Sequence, residues 1–331
     1  MTHEFEHILN FYSNSIEKKL SCVLATIVDL KGSSYRKPGV RMLFREDGLQ
    51  LGAISGGCVE KDVWNYSKDI FKTGKSKTIS YDGRYRLGCE GIIYILIEPL
   101  NIEESDIDQI KRFLFKRKEF KIDSYYVLSD DLMIQPQGSV IHFDNKTVYF
   151  NKNIINLDLN SLLLKFSDTL RPKIKLIIIG TEHDASHLCA CGKILGWEII
   201  VVGSPNSTKT IENFPDADDF KLINSENFKE LEIDKLTSVV LMSHNYAYDL
   251  KNFIELSKYE LFYLGILGNK KRKNRLIEDS INFNIELKEK FLNSVHSPAG
   301  IDINAITPQE IATSIVSQIL YESRKNKKNV K

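Results

Sequence analysis

The pattern that most restricts the fold lies in the second half of the chain. Lys173-Ile174-Lys175-Leu176-Ile177-Ile178-Ile179-Gly180 is a strand-sized apolar run that ends on glycine. A helix-compatible stretch covers residues 184–195, and Gly196-Trp197 leads into a second β-rich run at 198–202. Residues 237–242 read as a third strand, 246–257 as a helix and 262–267 as a fourth strand. Strands alternating with helices in this way specify a parallel sheet with helices on both faces. Thr307-Pro308-Gln309-Glu310 is a capping box with proline at the first helical position. The helix it opens carries Ile311, Ile315, Val316, Ile319 and Leu320 toward a basic tail at 324–331.

The first half is organised differently. Phe5, Ile8, Leu9, Tyr12, Ile16 and Leu20 fall on one helical stripe. Strands are expected at 22–30, 40–44, 78–81 and 92–97, with a helix that follows the Gly52–Glu60 segment to about Thr73 and another within 101–119. Residues 122–150 read as alternating strands, with turns at Pro136-Gln137-Gly138 and Asp144-Asn145. The chain is therefore expected to be α/β overall. An α+β domain over 1–150 is followed by a connector with one short helix over 151–172 and a Rossmann-like, doubly wound domain over 173–331.

Chemistry concentrates where glycines interrupt the first half. Gly52-Ala53-Ile54-Ser55-Gly56-Gly57-Cys58-Val59-Glu60 runs from a short apolar stretch into a helix with Val59, Val63 and Ile70 on one side. Gly56 and Gly57 can adopt positive φ, and the helix start offers free N–H groups and a partial positive charge. Cys58 in that field is biased toward thiolate, the form that binds metals and attacks sulfur. A tight turn beside a buried cysteine is the competing reading. Lys31-Gly32-Ser33-Ser34-Tyr35-Arg36-Lys37-Pro38-Gly39 and Leu87-Gly88-Cys89-Glu90-Gly91 are two further loops of this kind. Together with Arg41 they form either a set able to hold phosphate through amides and cations and sulfur for a soft metal, or hairpin turns with solvated charges.

The first βα turn of the second half should carry G-x-G-x-x-G/A, but reads Gly180-Thr181-Glu182-His183-Asp184-Ala185. Glu182 stands where backbone must approach a pyrophosphate, and Gly203 stands where an acidic residue would hold a ribose. The fold is expected here without ordinary NAD(P) or FAD binding. His183 and His187 share a helix face, without a surrounding HExxH, and read as a satisfied or exposed pair. Cys189 and Cys191 read as packing residues. His244 follows the third strand at the sheet edge where ligands collect, and His296 follows an apolar segment; each stands between cleft lining and structural hydrogen bonding.

Composition narrows the class. The 331 residues balance 45 Lys and Arg against 44 Asp and Glu, so no basic footprint points to nucleic acid. Apolar runs are strand-sized, far short of the ~20 residues that cross a bilayer. The acidic start, Met1-Thr2-His3-Glu4-Phe5-Glu6, lacks the basic and apolar regions of a signal peptide. Five scattered cysteines do not form a disulfide framework, so a cytoplasmic protein with reduced thiols is expected.

Taken together, the motifs resemble the XdhC/CoxI family, accessory proteins of xanthine dehydrogenase and carbon monoxide dehydrogenase. The resemblance rests on residues 32–43, 52–60 and Gly88-Cys89-Glu90-Gly91 with Glu98-Pro99-Leu100. It continues through residues 180–185, Met242-Ser243-His244-Asn245, 263–272 and 296–311. It implies a chaperone, not a dehydrogenase, that binds molybdenum cofactor, supports its sulfuration by a cysteine desulfurase and delivers it to an apo-molybdoenzyme. Glu182, Gly203 and Glu90 depart from the family pattern. Joining both lines, the cofactor phosphate is expected against the amides of Gly32, Ser33, Ser34, Gly56 and Gly57, with Arg36 and Arg41. Cys58 and Cys89 are expected near molybdenum. Ser55, Glu60, His244, Lys270, Arg272 and His296 complete the expected binding set, with Lys270, Lys271 and Arg272 closing on an anionic ligand. A homodimer is the expected assembly. An NAD(P)-dependent oxidoreductase and a docking protein that binds the apoenzyme without cofactor stay open as alternatives.

Overall fold

Helix α1 (Thr2–Glu17) opens the chain in a computed structural model that describes residues 2–55, 57–83, 91–128, 136–143, 146–155 and 163–325. Gly56, Cys89 and the turn at Asp144-Asn145 lie outside these residues, and Cys58 is described by its backbone alone. The chain divides into two compact units, Met1–Pro172 and Lys173–Lys331.

In the first unit, α1 is followed by β1 (Cys22–Lys31), β2 (Arg41–Arg45), β3 (Gln50–Gly52), α2 (Cys58–Thr73), β4 (Lys77–Asp82) and β5 (Ile92–Leu100). Among the described residues these strands form an antiparallel sheet in the order β3-β2-β1-β5-β4. Successive side chains of a strand point to opposite faces, and here both faces are covered. Val23, Ala25 and Ile27 meet Val59, Val63 and Ile70 of α2, the three apolar positions expected on one side of that helix. Cys22, Leu24, Leu43 and Leu100 face the opposite way, onto Phe5, Ile8, Leu9 and Tyr12 of α1 and the apolar side of α3 (Glu104–Phe115).

A second antiparallel sheet shares that core. It consists of β6 (Phe120–Tyr126), β7 (Gly138–Phe143), β8 (Lys146–Tyr149) and β9 (Leu164–Leu170), in the order β8-β7-β6-β9. Strand β9 corrects the expected connector. It lies within 151–172 and pairs with β6 from Phe120 opposite Leu170 to Tyr126 opposite Leu164. Its sequence, Leu-Lys-Phe-Ser-Asp-Thr-Leu, is half polar because it occupies a sheet edge, where polar partners hold it. Lys165 Nζ lies 2.7 Å from Asp123 Oδ2, and Ser167 Oγ donates to Asp123 Oδ1 at 2.6 Å.

The second unit runs β10 (Lys175–Ile179), α4 (His183–Ile194), β11 (Glu198–Gly203), β12 (Asp219–Leu222), β13 (Thr237–Leu241), α5 (Tyr246–Leu256), β14 (Tyr263–Ile266), α6 (Lys270–Asn282), α7 (Glu289–Ser294), β15 (Val295–His296) and α8 (Pro308–Lys325). Every strand pair is parallel, in the order β12-β11-β10-β13-β14-β15. Leu176, Ile178 and Val240 pack under α4 and α8 on one face. Ile177, Ile179, Leu241 and Leu264 pack under α5 and α6 on the other. This is the doubly wound arrangement expected from strand–helix alternation, an N-terminal α+β unit followed by a Rossmann-like one. Strand order reverses between β10 and β13, which makes their carboxyl ends the switch point of the sheet. In this unit two strands are not legible in the sequence: β12, a four-residue edge strand, and β15, only two residues long.

Among the described residues, no helix is long and apolar enough to cross a membrane.

Candidate functional site

Strand register gathers the glycine loops of the first unit at one end of its five-stranded sheet. Lys31 and Asp82 both pair with Ile92, Arg41 pairs with Thr26, and Gly52 pairs with Met42. The chain between β1 and β2, the chain from β3 into α2, and the ends of the β4–β5 loop therefore emerge side by side. Gly91 makes the closest approach possible: a Cβ there would lie 2.2 Å from the Ser33 carbonyl oxygen and 3.1 Å from that of Lys31. The amide of Gly83 donates to Gly91 O at 2.9 Å and closes the neck of that loop. Gly52, at φ 90, lies so near Arg41 O that a Cβ would stand 2.7 Å away. Gly57, at φ 124, instead opens on space, with nothing within 4 Å of where a Cβ would be.

The helix start at α2 already holds an anion. Glu60 accepts the N–H groups of Ile54 (3.2 Å), Ser55 (2.6 Å) and Gly57 (2.7 Å), and the Ser55 hydroxyl at 3.0 Å. Burial alone raises the carboxyl, but these donors outweigh it and hold Glu60 below the usual carboxylate range. This corrects the expectation that the Gly57 amide waits for a phosphate. The signal was present in the sequence, because a glutamate at the third helical position is the reciprocal half of a capping box. Cys58 is the first residue of α2, one position from the Gly57 cap.

Arg41 is the second correction. Its side chain is buried, and Nη1 donates to Asp168 Oδ2 at 2.7 Å and to Gly39 O at 3.1 Å. It ties β2 to β9 instead of facing a ligand. The exposed cations and hydroxyls at this end come from the last residue of β1 and the β1–β2 loop: Lys31, Ser33 and Lys37 are exposed, with Ser34 half-buried. Tyr35 is 82% exposed, and the Arg36 guanidinium lies 5.3 Å from its ring centre. Arg36 Nε is buried without a partner, so this side chain has hydrogen-bonding capacity to spend.

In the second unit, the carboxyl ends of β10 and β13 pack closely. A Cβ on Gly180 would lie 2.5 Å from Met242 O. Glu182 is the exposed N-cap of α4, without a side-chain cap hydrogen bond. At the end of β11, a Cβ on Gly203 would meet Leu222 Cδ2 at 2.8 Å and Thr181 Cγ2 at 2.9 Å, so the place of a ribose-binding acid is filled by packing. His244, at φ 54, places Nε2 3.8 Å from Asp184 Oδ2.

Arg272, expected to grip an anionic ligand, is the third correction: its Nη2 donates to Asp249 Oδ2 at 2.7 Å. Asp249 is fully buried and also accepts the Ser243 hydroxyl at 2.5 Å, so this pair joins α5 to α6. Lys270, at the first position of α6, is exposed. His296 stacks on Tyr263, ring centres 4.6 Å apart at 14°, and burial holds its pKa below the ordinary value.

Known proteins place these features in one lineage. The chain is 29% identical to a Bacillus subtilis protein named as a probable xanthine dehydrogenase subunit, over 94% of this chain and 96% of the relative. It is 22% identical to the molybdenum cofactor insertion chaperone PaoD of Escherichia coli, over 96% and 89%. A solved structure named as a xanthine dehydrogenase from Bacillus halodurans superposes with a TM-score of 0.79 at 28% identity, covering 100% of this chain and 98% of that one. The XdhC Rossmann domain matches residues 176–319. The XdhC and CoxI family matches residues 15–82, the stretch that holds the first two glycine loops and α2. Together these two matches cover well over half of the chain, which belongs to the XdhC and CoxI family.

Proposed function

We propose that this chain binds molybdenum cofactor and delivers it to an apo-molybdoenzyme of the xanthine dehydrogenase type, acting as an accessory protein and not as the dehydrogenase. The observation that carries this reading is the meeting of the glycine loops at one end of the five-stranded sheet, beside the start of α2. The name of the Escherichia coli relative, a molybdenum cofactor insertion chaperone, points the same way, and that of the Bacillus subtilis relative points to xanthine dehydrogenase as the client.

The residues present suit an anionic, sulfur-rich cargo. Arg36, with its unpartnered Nε, and the exposed Lys31, Lys37 and Ser33 offer charge and hydrogen bonds to a phosphate. Gly32 and Ser34 supply the neighbouring backbone, and Gly57 leaves room beside them. Cys58 and Cys89 are assigned the sulfur contacts to molybdenum, which is a soft-ligand role. Glu60 acts indirectly: it holds Ile54, Ser55 and Gly57 and thereby the backbone position of Cys58. His244, Lys270 and His296 are assigned to a further ligand contact on the second unit. Sulfuration by a cysteine desulfurase and assembly as a homodimer belong to the same proposal.

The test is molybdenum and pterin content after anaerobic incubation with free molybdenum cofactor, in wild type and Cys58→Ala. Stoichiometric retention that falls in the variant supports the carrier reading. Retention by neither protein sinks it and favours docking to the apoenzyme without cofactor. A titration with NADPH alongside reads the oxidoreductase alternative.

A further inference from the structure

The switch point of the second unit's sheet is electrostatically unlike a pyrophosphate site. Glu182 caps α4 and Asp184 sits in its first turn, so the positive end of this helix faces its own carboxylates. Such a field repels phosphate and favours a cation. Two imidazoles stand within it. His183 Nε2 and His187 Nε2 lie 3.2 Å apart, with ring centres 4.7 Å apart and ring planes at 88°.

At that nitrogen–nitrogen distance, two neutral rings share a single proton. One Nε2 donates, and the other presents its lone pair to the same point. If both rings carry hydrogen on Nδ1, both lone pairs converge there, which is the arrangement a metal ion requires. The chain contains an internal contrast. His3 and His7 have the same spacing on α1, yet their ring centres are 6.4 Å apart. Spacing alone therefore does not produce the converging geometry found on α4.

We propose that His183 and His187 chelate a divalent first-row cation of the Zn2+ or Ni2+ class at the carboxyl edge of the parallel sheet. Neutral imidazole suits these borderline metals. Among the described residues, no group of three His, Cys, Asp or Glu side chains is arranged to hold a metal. The two imidazoles are therefore the protein ligands, and the other coordination positions belong to water or an incoming ligand, as in an open site. The Gln309 amide, 3.5 Å from His187 Nε2, lies beside that open side. Glu182 and Asp184 supply negative potential without binding the ion directly. This site shares no residue with those assigned to molybdenum cofactor, so it stands or falls separately.

The experiment is calorimetric titration of the metal-stripped full chain with ZnCl2 and with NiCl2, in the absence of molybdenum cofactor. Wild type is compared with His183→Gln, His187→Gln and the double variant His3→Gln/His7→Gln, with a thermal melt of each to verify folding. The expected result is one equivalent bound, an affinity at least about tenfold weaker in each of the two α4 variants, and no change in the α1 double variant. Three outcomes overturn the proposal: binding that survives both α4 variants, binding lost only in the α1 variant, or no heat at a metal concentration of about 1 mM.

Discussion

Glu98 gives the sharpest quantitative test of the first unit. It lies on β5, fully buried, and reaches β7 of the neighbouring sheet. Its oxygens accept the Ser139 hydroxyl at 2.6 Å, the Ser139 amide at 2.8 Å and Asn151 Nδ2 at 3.0 Å. Burial is the dominant influence and pushes the carboxyl from 4.5 up to about 7, against the pull of those donors and of Arg41. The folded value lies above the unfolded one. Across about pH 4.5–7 the folded chain thus keeps a proton that the unfolded chain has released, and this carboxyl's stabilisation falls as pH rises through that window. Each tenfold change in an acid dissociation constant corresponds to about 1.4 kcal/mol, so the first unit loses roughly 2–3 kcal/mol between pH 5 and pH 8 from this group alone.

Glu98→Gln reproduces the protonated side chain. The amide oxygen accepts from the Ser139 and Asn151 N–H groups, while the amide nitrogen donates to Ser139 Oγ. Ser139 Oγ then turns its hydrogen to Ser124 Oγ, 2.8 Å away. Histidines held below their ordinary values by burial, His3 and His296, change stability in the opposite direction over the same window. The informative quantity is therefore the variant-minus-wild-type difference, in which they cancel. Urea unfolding followed by Trp64 fluorescence, in a Trp197→Phe background, reads the first unit without the second. From pH 5 to pH 8 the difference moves by roughly 2–3 kcal/mol in favour of Glu98→Gln. A difference that stays constant to within about 0.5 kcal/mol refutes the reasoning, because the carboxyl would then titrate alike in both states.

Three further outcomes are expected. Asp168→Asn leaves the Arg41 guanidinium buried without its counter-charge and costs about 3 kcal/mol in the same urea assay, most of it recovered in the double variant Arg41→Met/Asp168→Leu. Glu60→Ala frees the amides of Ile54, Ser55 and Gly57 and costs about 1–2 kcal/mol, with reduced retention of molybdenum cofactor on a desalting column. Gly91→Ala forces its methyl against Ser33 O; circular dichroism melts then show a lower first transition, and cofactor retention falls with it.

The parallel sheet was legible because β10, β11, β13 and β14 are buried on both faces and so read as mostly apolar runs rich in Ile, Val and Leu. Strands β12 and β9 were not, because an edge strand needs few apolar residues and draws its order from a neighbour's backbone. The glycine loops could be named from the sequence, but not their convergence, which follows from strand register. The misplaced cations share one cause. Arg41 finds Asp168 127 positions away, and Arg272 finds Asp249 23 positions away; local composition carries no trace of either pairing. Glu60 differs, since its partners lie within six positions and the capping signal was local.

Strand β9 also bears on how this protein can be cut and how its sheet edge avoids uncontrolled strand addition. A fragment ending at residue 150 lacks β9, so the β6 edge carrying Phe120, Ile122 and Tyr126 is left open. An open apolar edge is a template for strand addition by another chain. Lys165, Ser167, Asp168 and Thr169 put charge and hydroxyls along the intact border instead. A soluble N-terminal fragment therefore has to run to Pro172, the end of the first compact unit.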